Sequence, residues 1–329
     1  MRAGLTTINA GMGRDSTAML CLLAEGLLVV DGAPVQPADI DAVIFSDTGM
    51  EWPTTYAALP AVRALCEGMG VRFLHLQKPP EEIWRANPRA KGDRADPVWV
   101  TAGEGRSIEE KAASGAYHRR IPILWEFMRF SKIAATVNAS CTDNHKVQVI
   151  RRVMNDLCLE KFGVDCQAWG RLCRKGLADR HRVLIGIAAD EIERAIDTGR
   201  PFYERACYPL VEARIGKAEE IPVLDRHGLG WLHKSGCYMC PYQPVGWYWV
   251  LSVRHPELFA LVVEYERRAL EENPKMFVVA GKPIEVAITD WRRRNPRATE
   301  EDLLKKAYCR GTAGWSGNGK RPEQLQLFA

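Results

Sequence analysis

Between Thr6 and Leu20 the chain has few ways to fold. Thr6-Thr7-Ile8-Asn9 is short and β-branched, which suits a strand. Ala10-Gly11-Met12-Gly13 interrupts it. Asp15-Ser16-Thr17 then opens an apolar helical pattern through Met19, Leu20, Leu22 and Leu23. Strand, glycine turn and helix N-terminus together make an anion site. The first amides of the helix have no intrahelical partner, and the dipole favours negative charge there. Glycine lets the backbone come close to a phosphate. Gly11, Gly13, Arg14, Asp15, Ser16 and Thr17 are therefore the candidate phosphate-binding residues.

Asp41 to Ser46 reads as a second, buried strand, Trp52 to Met69 as a helix stopped by Gly70, and Val71 to Leu76 as a third strand. Strands alternating with helices predict an α/β fold: a parallel sheet with helices on both faces. Ligands of such sheets bind outside the carboxyl ends of the strands. Asp47-Thr48-Gly49 falls at that edge, where Asp47 can accept hydrogen bonds from a ribose or help hold Mg²⁺. Pro53 fits the first turn of the helix that follows.

The chain has 329 residues and is 47% hydrophobic, enough for one large or two modest domains. The expected division is residues 1–220 as a nucleotide-binding α/β domain and 221–329 as a mostly helical C-terminal segment with a loose tail. No secretory signal and no membrane-spanning apolar run is visible, so the expected compartment is cytoplasmic. The net charge of +4 permits a nucleic-acid partner without demanding one. Residues 78–120 form a long polar insert rich in Arg and Lys, read as a solvated lid or a phosphate-recognising loop. Ile121 to Val137 reads as a helix, Lys161 to Arg182 as a connecting helix and loop, and Val183 to Ile187 as a strand. Glu191 and Arg194 are spaced to share one face of a helical turn. Trp247-Tyr248-Trp249 could stack bases or fill a core.

Ten cysteines without a secretory signal point to reduced thiols or metal ligands. Cys237-Tyr238-Met239-Cys240 is a C-x-x-C, by itself a zinc half-site, a redox pair or half of an iron–sulfur site. Cys21, Cys66 and Cys158 fall in apolar helical patterns and read as core thiols. Cys166 and Cys173 fit either reading.

The glycine turn is neither a Walker loop nor a dinucleotide fingerprint: no Lys-Ser/Thr pair follows Gly13, and Ser16 stands where a third glycine belongs. It resembles the S-G-G-K-D-S PP-loop of the ATP pyrophosphatases, a group that includes PAPS reductases, tRNA thiolases and the DNA phosphorothioation enzymes. Gly13, Asp15 and Ser16 match, and Arg14 replaces Lys. Gly11 and Met12 replace the first Ser and Gly. Asp47 to Tyr56 resembles the D-T-G-x-x-x-P-x-T-Y signature of PAPS reductases at every fixed position. Gly186 to Arg194 resembles that family's G-x-x-x-x-E-S-x-R element, with Ile192 in place of Ser.

The resemblance implies a Rossmann-like, adenine nucleotide alpha hydrolase-like sheet that cleaves ATP between its α- and β-phosphates with Mg²⁺. In it, Gly11, Gly13, Asp15, Ser16, Thr17, Asp47, Thr48, Gly49, Glu191 and Arg194 hold the nucleotide. Arg14, Asp15, Ser16 and Lys146 act on the phosphates. Cluster-bearing APS reductases carry a Cys-Cys pair, a lysine soon after it and a later C-x-x-C. Cys141, Lys146, Cys237 and Cys240 match, Thr142 stands in place of the second cysteine, and Cys207 is nominated as fourth ligand of a 4Fe–4S cluster. PAPS reductases use a late E-C-G-x-H segment, whereas Cys309 lacks both the Glu and the His. The closest resemblance is to the sulfur-transfer enzyme of DNA phosphorothioation. That implies a cysteine desulfurase as donor and a nucleic-acid acceptor, DNA ahead of tRNA. A reductase, a tRNA-thiolating enzyme, and a nucleotide-binding module without turnover are the other expectations, and an oligomer is compatible with each.

Overall fold

Along Ala42-Val43-Ile44-Phe45-Ser46 successive side chains face opposite ways, and all five residues are buried. Val43 and Phe45 belong to one apolar core and Ala42 and Ile44 to another. A strand covered on both faces carries an unbroken apolar run, the pattern of a parallel sheet flanked by helices. The computed structural model describes residues 2–79, 106–118, 123, 127, 140–195, 200–241, 243–279 and 281–309. The side chains of residues 140 and 305–309 fall outside that description.

The strands of the main sheet are β1 (Thr6–Asn9), β4 (Ala42–Ser46), β5 (Phe73–Leu76), β6 (His181–Ile185) and β7 (Glu204–Cys207), in the spatial order β5-β4-β1-β6-β7. Every pairing between them is parallel. A two-stranded ribbon, β2 (Val29–Val30) with β3 (Ala33–Pro34), stands apart. The chain builds β1, β4 and β5 outward in one direction, then returns to lay β6 on the other side of β1. The reversal opens a crevice beside the carboxyl end of β1, where ligands of such sheets bind.

The helices α1 (Arg14–Ala24) and α2 (Pro53–Gly68) cover one face of the sheet. The other is covered by α3 (Ile108–Ala113), α4 (Gln148–Phe162) and α5 (Cys166–Arg174). A short α6 (Pro209–Glu212) and then α7 (Lys217–Arg226) follow β7, and α7 packs on α1. Because α7 runs through position 220, the expected boundary there cuts a helix that belongs to the sheet. The chain then forms α8 (Val245–Arg254), α9 (Pro256–Glu272), α10 (Ile284–Arg294) and α11 (Glu300–Cys309) around a third core.

Trp247 and Tyr248 are buried in that core, and Trp249 stacks on Trp291 at 5.8 Å beneath the Arg292 guanidinium. The Trp-Tyr-Trp run is therefore packing and not an exposed base platform. The expected connection 161–182 is α5 followed by the start of β6. Of the insert 78–120, α3 is capped by Ser107, whose Oγ accepts from the Glu110 amide. Trp84, Arg85, Lys91, Arg94, Arg119 and Arg120 lie outside the described residues, as does most of the expected helix 121–137. Among the described residues no helix is long and apolar enough to cross a membrane.

Candidate active site

The crevice at the carboxyl edge is a cavity of about 380 Å³. Asn9, Ala10 and Gly11 line it after β1, Ile44 to Ser46 from β4, and Ile185 and Gly186 from β6. Gly13, Arg14, Asp15 and Ser16 bring the first turn of α1 into it. Two glycines allow this approach. A Cβ on Gly186 would lie 2.6 Å from the Ser16 amide nitrogen, and one on Gly13 would lie 2.5 Å from the Ser235 nitrogen. Met12 adopts a left-handed backbone, φ 59°. That conformation costs a non-glycine residue roughly 1–2 kcal/mol. Its side chain is 1% exposed, and burying a Met contributes about 1.5–3 kcal/mol, which offsets the strain. The PP-loop that this turn resembles has glycine at this position.

Cations converge on the cavity from separate parts of the chain: Arg14, Lys146, Arg194 and Lys234 all line it, with Ser235 and Thr142 beside them. Arg194 pairs with Glu191, as their spacing predicted. Glu191 also holds Lys217 at 2.7 Å, a buried ion pair with both side chains below 5% exposed. Burial raises the Asp15 carboxyl, Lys217 opposes that, and Glu191 adds to it. Glu220 is fully buried, and neither of its carboxylate oxygens has a partner among the described residues. Burial, and then the charge of Asp15, push its carboxyl up to about 9. Burial pulls Lys234 down, and Arg194 adds to that. Thr17 is buried behind the first turn, its amide bonded to the Gly13 carbonyl, and it does not line the cavity.

Asp47, Thr48 and Gly49 stand at the same sheet edge but not in the cavity wall. Both Asp47 oxygens are engaged by the protein. Oδ1 accepts from the Gly49 amide at 2.7 Å and from Tyr56 at 2.8 Å, and Oδ2 lies 3.0 Å from His75 Nε2. Burial would raise this carboxyl, but the His75, Gly49 and Tyr56 hydrogen bonds outweigh it and hold it low. Asp47 thus fixes the loop. The loop carries Glu51, which accepts from Lys146 Nζ at 3.0 Å and from Thr48 Oγ1 at 3.3 Å.

That loop also carries the cysteines. Glu51 bridges to Cys237, the Tyr238 amide donates to the Met50 carbonyl, and the Trp52 amide donates to the Gly236 carbonyl. Cys141 and Cys237 pack against the C-terminal core. Burial would lower Lys146, yet Glu51 first and then Cys237 and Cys240 raise it. Burial raises the Cys141 thiol and, with Cys240 and Glu51, pushes Cys237 well up. The structure therefore gathers Cys141, Cys237 and Cys240 around Lys146. It does not bring Cys207 to them. Cys207 ends β7, opposite Leu184, and is buried in the α1-side core with Leu210 and Leu224.

A different trio stands closer together. Cys158, Cys166 and His181 have ligand atoms all within 4.8 Å of one another, so these three could hold a metal ion. Among the described residues this is the one such group.

Sequence reading missed Lys217, Glu220, Lys234 and Ser235. One signal for the first two was present: Lys217 and Glu220 share a helical stripe with Leu224, and charges inside an apolar stripe mark a paired or functional site. Comparison with family models, curated proteins and solved structures found no match to this chain.

Proposed function

We propose that the protein is a Rossmann-like ATP pyrophosphatase that activates a phosphate or base oxygen for replacement by sulfur, with DNA as the acceptor. One observation carries the reading. The N-terminus of α1, the carboxyl ends of β1, β4 and β6, and the cations of four separate segments meet in one cavity at the sheet's reversal point. Uncompensated helix amides and converging cations suit a polyphosphate. Gly13 to Ser16 would hold the pyrophosphate leaving group, with Arg14, Lys146, Arg194 and Lys234 offsetting charge on the phosphate oxygens. Mg²⁺ would enter with ATP, and Asp15 is the carboxylate at the cavity.

The cysteines beside Lys146 fit a sulfur-handling group. Cys141, Cys237 and Cys240 offer three thiols, and the buried Tyr265 hydroxyl, which has no partner among the described residues, feels Cys237 and Cys141. The three do not close on a single point as Cys158, Cys166 and His181 do. That spread suits a 4Fe–4S cluster, whose ligands attach to different irons, better than one zinc. Without Cys207 the cluster would have three protein ligands. When bound, it would supply an open iron for sulfur that a cysteine desulfurase delivers as a persulfide, while Lys146 and Glu51 set the charge beside it.

Two measurements test this. ATP incubated with the protein and DNA yields AMP and pyrophosphate, and Asp15→Ala and Ser16→Ala reduce release at least 100-fold with unchanged circular dichroism; parent-like turnover by both variants removes the site from the cavity. Anaerobically purified protein contains iron and acid-labile sulfide, retained by Cys207→Ser and lost in Cys141→Ser or Cys237→Ser. Stoichiometric zinc without iron refutes the cluster.

A further inference from the structure

The helix-covered face that holds α4 and α5 buries a chemistry the nucleotide cavity does not use. Cys158 lies on α4, Cys166 is the first residue of α5 and His181 the first of β6. Cys158 and His181 are fully buried, and Cys166 is 3% exposed. Gly163, in the left-handed region at φ 70°, turns the chain between the helices and brings the two sulfurs face to face. The Cys166 amide donates to Asn155 Oδ1 at 3.1 Å, which pins that corner.

The state of the imidazole decides what this trio does. The Leu5 amide donates to His181 Nδ1 at 3.0 Å, so the neutral ring carries its proton on Nε2. Nε2 faces the Cys166 sulfur at 3.9 Å. The ring is held there by Trp169, stacked at 5.4 Å, and by Tyr203 edge-on at 6.1 Å. A metal ion would need the Nε2 lone pair, and the ring would then lose its proton or leave the Leu5 amide without an acceptor in the core. A thiolate instead meets two donors, the partner thiol and the ring N–H. The hydrogen bond from Cys166 lowers the Cys158 thiol against the pull of burial, with His181 assisting, and Cys166 is raised in turn.

We propose that Cys158 and Cys166 are a redox pair that a hydroperoxide converts to an internal disulfide, with His181 as the positioning residue that donates to the reacting sulfur. The Cys158 thiolate attacks one peroxide oxygen, giving a sulfenic acid and hydroxide. The Cys166 sulfur then displaces the sulfenic oxygen as water, forming the S–S bond. Overall, two thiols and one hydrogen peroxide give one disulfide and two waters. The pair is independent of the nucleotide reading.

The experiment treats reduced, full-length protein with hydrogen peroxide, blocks remaining thiols under denaturing conditions and maps peptides by mass spectrometry. The expected product is a linked peptide joining Cys158 to Cys166, reversed by dithiothreitol. Cys173→Ser, which alters the next cysteine on α5, keeps the link, and Cys158→Ser and Cys166→Ser lose it. His181→Gln slows the reaction at least tenfold at pH 7 and shifts the midpoint of its pH profile upward. Two results overturn the proposal. In one, Cys158 and Cys166 stay fully alkylatable after peroxide while exposed cysteines oxidise. In the other, the native protein carries stoichiometric zinc, and both thiols become reactive only after the zinc is removed. The readout is a peptide, so its failure leaves the nucleotide cavity untouched.

Discussion

Lys234→Met lowers the affinity for ATP by roughly 30- to 1,000-fold while making the empty protein more resistant to heat. Lys234 lines the cavity, and among the described residues it has no carboxylate within ion-pair distance. Burial disfavours its charged form and Arg194 adds like-charge repulsion, as does Lys217, and Glu191 and Asp15 oppose this only in part. Holding this ammonium charged without a ligand is therefore costly. A phosphate removes that cost by pairing with it. Truncating one partner of a buried, hydrogen-bonded charge pair costs about 2–4 kcal/mol, which is the affinity loss given above. Methionine keeps the apolar stem and drops the charge. Calorimetric titration with ATP and a thermal melt of the empty protein measure both effects. An affinity within threefold of the parent would place the phosphates away from the C-terminal segment.

Glu220→Gln stabilises the protein by about 2–4 kcal/mol at pH 7.5, and the gain disappears as the pH falls to about 4.5. The sign follows from proton counting. In the unfolded chain this carboxyl loses its proton near 4.3, but in the folded protein it keeps it up to about 9. Between those values the folded state binds the extra proton, so stability falls as pH rises through that window, and the loss is complete above about 9. The amide does not titrate and carries no such penalty. Each unit is worth about 1.4 kcal/mol, and structural relaxation trims the sum over the roughly three units to pH 7.5. Urea unfolding of both proteins at pH 4.5, 6 and 7.5 reads the difference directly. A gain that does not change with pH, or a loss at pH 7.5, would mean that Glu220 is ionised in the fold. The protein tolerates this carboxyl beside Asp15 and Arg14, at the start of α1 and the edge of the cavity, where strain of this kind concentrates at functional sites.

The amino-acid sequence by itself determined four of the five strands of the sheet and the glycine turn that leads into α1. The β-branched run ending at Asn9 and the apolar run at 42–46 are strands, and the helix expected over 52–69 spans Pro53–Gly68. The Glu191–Arg194 pair formed because its partners are three residues apart. These features depend on neighbours along the chain, and local periodicity encodes them. Only the tertiary structure decided which distant groups share a site. Asp47, read as a ribose or Mg²⁺ ligand, spends its oxygens on His75, Tyr56 and Gly49. Cys207, read as a cluster ligand, turns into the core, and Cys158, read as inert packing, meets Cys166 and His181. Lys217, Glu220 and Lys234 reach the start of α1 from about 200 residues away in sequence, through the packing of α7 and the return of the segment at Ser235. A residue's type fixes what chemistry it can offer. Whether that chemistry is used depends on the charges, donors and apolar surface that packing sets around it, and no local pattern carries that information.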